Sequence, residues 1–400
     1  MVEIRRITKQ ERRAVSDLRK YAFSSWSDEK AKDEELTTIM PEETLGLFDD
    51  GKLVSTIELL SLQQSIRGIV KNMGGIANVA TYPEARRKGY VDELMRAVFS
   101  KMKKQDIPVS MLAPFKESFY RRFGYIKANT HMNVKAPLTA LRTSLNDEIS
   151  GEWKVERVRA VEAKEPFLEF IMDFAPSRIH GIVFDPKISD EVWKRRNKDA
   201  VIIFVKNKDT IEAMARYRTK NYIWGAEPSH LVVHEMYWRT LAARNILFTF
   251  LAKHTDQFEH IIMQLPFGIN FQHWFTDSMN KFEISMYLPW MVRVIDVKNA
   301  IMDIPSSGTA EISIQVSDPY CKWNNDLFTI QSKDGRLKVH KGSGNPDAKM
   351  TIEGISALVY GTLSVEELEF KGWLELSDTK TGIKLQQWFP VIPIHNAFHY

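Results

Sequence analysis

The stretch Val79–Met95, VATYPEARRKGYVDELM, governs the reading of the first third of this chain. A strand-like run ends at Tyr82. Pro83 follows, then the basic residues Arg86, Arg87 and Lys88, then Gly89, then a helix whose Val91, Leu94, Met95, Val98 and Met102 share one face. Adjacent like charges repel, so a turn that only joins two elements gains nothing from them. A bound polyanion would account for them. The first turn of a helix carries backbone N–H groups without intrahelical partners, at the positive end of the helix dipole. A phosphate fits there, a glycine lets the backbone come close, and basic side chains add charge-assisted bonds. The spacing matches neither G-x-x-x-x-G-K-[ST] nor G-x-G-x-x-G. Taken alone, a solvated basic turn is the competing reading.

The flanking elements supply the context. Val2–Ile7 reads as a strand, Gln10–Phe23 as an amphipathic helix and the acidic stretch Ser27–Glu35 as helical. Leu45–Phe48 and Leu53–Leu62 read as strands around Asp49-Asp50-Gly51, a hairpin signal. Met73–Tyr82 is the next strand, Tyr90–Lys103 a helix, Pro108–Leu112 a strand, and Phe119–Phe123 a helical turn before Gly124. From Glu152 the order repeats. The strand Leu231–Tyr237 and the helix Leu241–Lys253 parallel the first strand–helix unit, but no glycine lies between Met236 and Phe250. A second copy would therefore have lost its phosphate loop. From about Val292 the pattern changes to short strands (Ala310–Val316, Leu327–Gln331, Arg336–Lys341, Ala348–Glu353) with helices at Ile355–Tyr360 and Val365–Phe370. The expected fold class is α/β plus α+β, in three domains over residues 1–150, 151–290 and 291–400.

The bulk numbers bound the function. A chain of 400 residues with 44% hydrophobic and 26% charged residues has an ordinary globular balance. The net charge of +4 is spread among acids, without a basic stripe, so no nucleic-acid partner is expected. The single cysteine, Cys321, excludes an intrachain disulfide and a cysteine metal cluster, and no metal is expected. Neither a signal-peptide core nor a bilayer-length apolar run is visible, so the expectation is a cytoplasmic protein with no membrane partner.

The run Asn78–Val91, with Arg86-Arg87-Lys88-Gly89-Tyr90-Val91 at its end, resembles the Q/R-x-x-G-x-G/A motif of the GNAT acetyltransferases, with Val91 where the family has Gly or Ala. Tyr120-Arg121-Arg122-Phe123-Gly124-Tyr125 resembles the Y-x-R-F-G-Y stretch of the Eis-type members. That resemblance implies two GNAT-like mixed-sheet domains, the second without a cofactor site, followed by a sterol-carrier-protein-like domain. It also implies acetyl-CoA as co-substrate. Arg86, Arg87, Lys88, Gly89, Tyr90 and Val91 would wrap its pyrophosphate, and Val79, Ala80 and Thr81 would lie along its pantetheine arm. Asp92 and Glu93 suit the first helical turn through the dipole.

By the same resemblance Tyr120 is the general acid and the terminal carboxylate of Tyr400 the general base. The residues add a hint of their own. Chain ends usually fray, whereas FPVIPIHNAFHY is apolar and aromatic to its last residue. His395 and His399 are alternative bases, and His399 alternatively lines the substrate site. A cationic acceptor favours an acidic, aromatic pocket, which points to Phe23, Trp26, Asp28 and Glu29, with the acids at 33–35 nearby. The implied acceptor is a primary amine on a small molecule or peptide: an aminoglycoside, a lysine side chain or a polyamine-like compound. The family further implies a homo-oligomer, a hexamer. A non-catalytic acyl-CoA or lipid carrier, or a sensor, is the alternative from another functional class.

Overall fold

The computed structural model describes residues 1–23, 36–128, 131–141, 151–219, 230–276, 282–286 and 290–396. The helix expected over Ser27–Glu35 lies outside them. The chain divides into two compact units, one drawn from Met1–Ala128 and Pro289–Ile392, the other from Asn129–Leu288 and Pro393–His399.

In the first unit seven strands follow one another in the order Val2–Arg6, Thr44–Asp49, Lys52–Ile66, Ile69–Thr81, Val109–Leu112, Trp290–Val294 and Ile126–Ala128. Two tight hairpins set the register of the central strands. Asp50 and Gly51 turn the first at φ 48° and 75°, and Arg67 and Gly68 turn the second at φ 49° and 87°. Ile69–Thr81 then pairs in parallel with Val109–Leu112, and the connection carries the helix Tyr90–Lys104. Of the apolar stripe read from the sequence, Leu94, Met95, Val98 and Met102 are fully buried together with Phe99, while Val91 is half-buried at the helix start.

The strand Trp290–Val294 is buried at every position and lies between two strands from the N-terminal third of the chain. Sequence pattern had marked this region only as a change of character. The remaining part of the unit is a five-stranded sheet ordered Arg336–Lys341, Leu327–Lys333, Ala310–Ser317, Ala348–Thr351 and Leu374–Leu376, with the helices Ile352–Tyr360, Val365–Phe370 and Thr379–Trp388. The last helix was not legible in the sequence, because Gly382 and its two threonines carry poor helix propensity. Asp378 starts it, its carboxylate accepting from the Thr381 N–H at 2.9 Å.

The second unit is a seven-stranded sheet in the order Glu283–Met286, Met132–Pro137, His260–Leu265, His230–Trp238, Thr210–Thr219, Val201–Asn207 and Trp153–Arg159. His230–Val233 pairs in parallel with His260–Met263, and the helix Leu241–Ala252 forms the connection. This is the strand–helix–parallel-strand unit of the first sheet, repeated. Both sheets are mixed, and the whole is α/β plus α+β, as expected.

Candidate active site

The strand Ile69–Thr81 is regular until Ala77. There Thr56 pairs with Ala80 but Glu58 pairs with Ala77, so Asn78 and Val79 together face Ile57. This is a β-bulge, and Asn78 takes the left-handed conformation at φ 49° to make it. A buried carboxylate holds the bend: Asn78 Nδ2 donates to Glu58 Oε2 at 2.5 Å, and the Arg19 guanidinium lies 3.6 Å from the other oxygen. Beyond the bulge, the Ser55 hydroxyl donates to Ala80 O at 3.0 Å and meets Thr81 Oγ1 at 2.7 Å. On the opposite edge, pairing with Val109–Leu112 stops at Ile76. The backbone of Ala77–Thr81 therefore has no strand neighbour there among the described residues. An amide-bearing ligand laid along this edge would find the hydrogen bonds that a further strand would make.

The helix start carries the second feature. Gly89 is its N-cap at φ 85°, without any side-chain cap, and Arg87 takes φ 64°. An added Cβ on Gly89 would meet nothing within 4 Å, so conformation rather than crowding calls for glycine. The left-handed turns and the uncapped first amides make an anion-binding concavity. The second unit lacks this device. Its corresponding helix is capped by Thr240, whose Oγ1 accepts from Ala243 N at 3.2 Å, so one of the free amides is already used.

Bulge and helix start open onto one cavity of about 730 Å³. Its walls include Phe23, Val79, Ala80, Thr81, Arg86, Arg87, Gly89, Tyr90, Val91 and Asp92. Nearly every cofactor residue named from the sequence is thus brought together. Lys88 is the exception: it does not line the cavity, and its ammonium sits 5.9 Å above the Tyr90 ring. Tyr90 serves also as a tether, its hydroxyl donating to Asp49 Oδ2 at 2.6 Å. Phe23 is half exposed where the first helix ends, beside Ala22. Sequence reasoning missed Phe115, Phe119 and Arg122, which line the same space. It also undervalued Asp92, which pairs with Arg96 at 2.9 Å and accepts from the Tyr320 hydroxyl at 2.8 Å.

Tyr120 is buried and is not itself a lining residue. Its ring packs edge-on to Phe115 at 5.8 Å and Phe119 at 5.1 Å, both of which line the cavity. Burial pushes its phenol up to about 12. Trp26, His399 and Tyr400, named from the sequence, lie outside the described residues. The tail is described as far as Asn396, and Ile394, His395 and Asn396 are buried. His395 donates its N–H to His180 O at 2.8 Å, and its ring lies 6.0 Å from that of Tyr237. Among the described residues no group of three His, Cys, Asp or Glu is placed to hold a metal, and no helix is long and apolar enough to cross a membrane.

Comparison with known families matches three successive stretches of the chain. The acetyltransferase (GNAT) domain family matches residues 3–128, a second acetyltransferase (GNAT) domain family matches residues 186–294, and the sterol carrier protein domain family matches residues 297–393. No curated protein matches the chain. Among solved structures, a GCN5-related N-acetyltransferase from Anabaena variabilis is 19% identical with a TM-score of 0.86, both chains being covered completely. A probable N-acyltransferase from Enterococcus faecalis is 20% identical with a TM-score of 0.82, again over the full length of both. Eis1 from Mycobacterium abscessus is 16% identical with a TM-score of 0.81 over the full length of both. GNAT domains use acetyl-CoA, and the bulged strand and uncapped helix start lie within the first GNAT match. The chain thus carries two acetyltransferase (GNAT) domains followed by a sterol carrier protein domain, and over its full length it shares the fold of Eis1 from Mycobacterium abscessus.

Proposed function

We propose that the first GNAT domain binds acetyl-CoA in the cavity of about 730 Å³ and transfers the acetyl group directly to a primary amine. The observation that carries this reading is the joining of two complementary features in one space: an uncapped helix start at Gly89 for a diphosphate, and an unpaired strand edge at Ala77–Thr81 for the amides of a pantetheine arm. Arg86 and Arg87 face the phosphates, and the N–H groups around Val79 polarise the thioester carbonyl. Tyr120 gives its proton to sulfur as the C–S bond breaks and the C–N bond forms. The carboxylate of Tyr400 takes the proton that the amine must lose, since an alkylamine with a pKa of about 10.4 is unreactive while protonated. The acceptor belongs to the class of aminoglycosides, lysine side chains and polyamine-like compounds, with Phe23, Trp26 and His399 along its path.

The second GNAT domain keeps the fold without a cofactor site, and the domains divide at about residues 150 and 290. The assembly is a cytoplasmic homo-oligomer, a hexamer by family resemblance, and its mass in solution by light scattering checks that number.

Calorimetry tests the coenzyme site. Wild type binds acetyl-CoA at one site per chain. Arg87→Ala weakens binding roughly 10- to 100-fold, the worth of a charge-assisted phosphate contact of about 1.5–3 kcal/mol. Gly89→Ala weakens it about fivefold, because a left-handed non-glycine residue costs roughly 1 kcal/mol. Absence of heat with wild type, or full affinity in Arg87→Ala, would contradict the assignment. Turnover with a panel of amines identifies the acceptor.

A further inference from the structure

The second unit contains a cavity of about 350 Å³ that the acetyl-transfer site does not use. It lies between the helices Lys164–Arg178 and Asp190–Arg196 on one side and the strands Thr210–Thr219, His230–Trp238 and His260–Leu265 on the other. The helix side is apolar, built from Phe167, Ile171, Ile182, Phe184 and Trp193. The sheet side is charged and polar. A core that needed only filling would not place arginines, a glutamate and a glutamine on one wall.

Three observations define what would fit. The first is unused acceptors. Glu235 is buried, and Arg216 Nε stands 2.9 Å from its Oε2, an ion pair by distance. The N–H is not aimed at that oxygen, so neither atom has a directed hydrogen bond among the described residues. Gln264 Oε1 is likewise buried without a donor among the described residues. Two acceptors on one wall call for a donor such as an ammonium group. The second observation is unbalanced positive charge. The cavity lining carries Arg196, Arg216 and Arg218 against Asp185 and Glu235. Arg218 makes no ion pair among the described residues, and its guanidinium donates to Arg196 O. Asp185 accepts from Lys187 N at 2.9 Å, and burial raises the carboxyls of both Asp185 and Glu235. A carboxylate on the ligand would restore balance and suits the guanidinium fork. The third is the apolar wall itself, which takes a branched or aromatic side chain.

We propose that this cavity binds a free apolar α-amino acid. Its carboxylate rests on Arg218, its ammonium on Glu235 and Gln264, and its side chain against Phe167, Ile171, Ile182, Phe184 and Trp193. The site stands apart from the acetyl-CoA reading, so either can fail without the other.

Titration calorimetry on the full-length protein tests it, with L-phenylalanine and L-leucine as probes and phenethylamine and 3-phenylpropionate as analogues lacking one charged group each. The expected result is one site per chain for at least one amino acid, with both analogues tenfold or more weaker. Arg218→Met, which keeps the stem and removes the charge, weakens amino-acid binding tenfold or more. Ile171→Trp, which fills the apolar end, does the same. A cooperative thermal transition close to that of wild type shows that each variant is folded. The proposal is overturned if neither amino acid binds folded wild type, if either analogue binds as tightly as the amino acid, or if folded Arg218→Met retains full affinity.

Discussion

Tyr120→Phe is expected to lower kcat about 100- to 1,000-fold while the affinity for acetyl-CoA stays within about twofold of wild type, the range that a positioned general acid contributes. The substitution removes one oxygen from a ring buried against Phe115 and Phe119, so packing is preserved. The phenol is pushed up to about 12 by burial. An acid acts while protonated, so a raised value keeps the group competent as pH rises: kcat should show no loss assignable to this phenol below about pH 11. A phenol this weak in acidity does not ionise ahead of the reaction. In the proposed chemistry it gives up its proton while charge accumulates at the breaking C–S bond, where basicity is greatest. The proposed base has a companion test. Residues appended after Tyr400 move the carboxylate into an amide, and turnover should be lost with acetyl-CoA binding kept. Near-normal kcat in Tyr120→Phe, or in the extended chain, removes that group from the proposed chemistry.

Asp318→Asn is expected to destabilise the first unit by about 3–5 kcal/mol, the cost of leaving a buried charge without its partner. Arg293 and Asp318 are both 0% exposed. Arg293 Nη2 donates to both carboxylate oxygens at 2.7 Å, Nη1 donates to Phe123 O, and the guanidinium lies 4.6 Å above the Phe99 ring. Asp318 also accepts from Tyr320 N and Cys321 N at 3.0 Å and from Asn324 Nδ2 at 2.9 Å. Asparagine keeps the shape but deprives the guanidinium of its counter-charge and puts N–H groups where donors already converge. Denaturant or thermal unfolding of the full chain should show an earlier first transition. Arg293→Met combined with Asp318→Leu should cost less than Asp318→Asn alone, because removing both charges leaves nothing unpaired. A midpoint unchanged in Asp318→Asn would show that the pair does not hold the unit together.

The same ion pair gives a physical reason for one glycine in the Y-x-R-F-G-Y stretch. Gly124 has φ 79°, and a Cβ there would overlap the Arg293 guanidinium. The motif resemblance gives that glycine no role of its own. Its own environment ties it to packing around a charge 169 positions further along the chain, which no local pattern can reveal.

Local signals were sufficient where neighbours in sequence are neighbours in space. The hairpin at Asp50-Gly51, the buried stripe of Tyr90–Lys104 and the glycine at the start of that helix all follow from short-range rules: a turn needing positive φ, a 3.6-residue period and a set of unpaired amides. The basic turn that ends in Gly89 and the absence of any glycine between Met236 and Phe250 are read from neighbouring residues in the same way. Only the tertiary structure could seat Trp290–Val294 between Val109–Leu112 and Ile126–Ala128, or Met132–Pro137 beside His260–Leu265. A strand's partner is chosen by long-range pairing, and many apolar runs satisfy the same period. Tertiary structure likewise brought Phe115 and Arg122 to the cavity and joined Arg293 to Asp318, because side chains far apart in sequence meet only when the sheet is built.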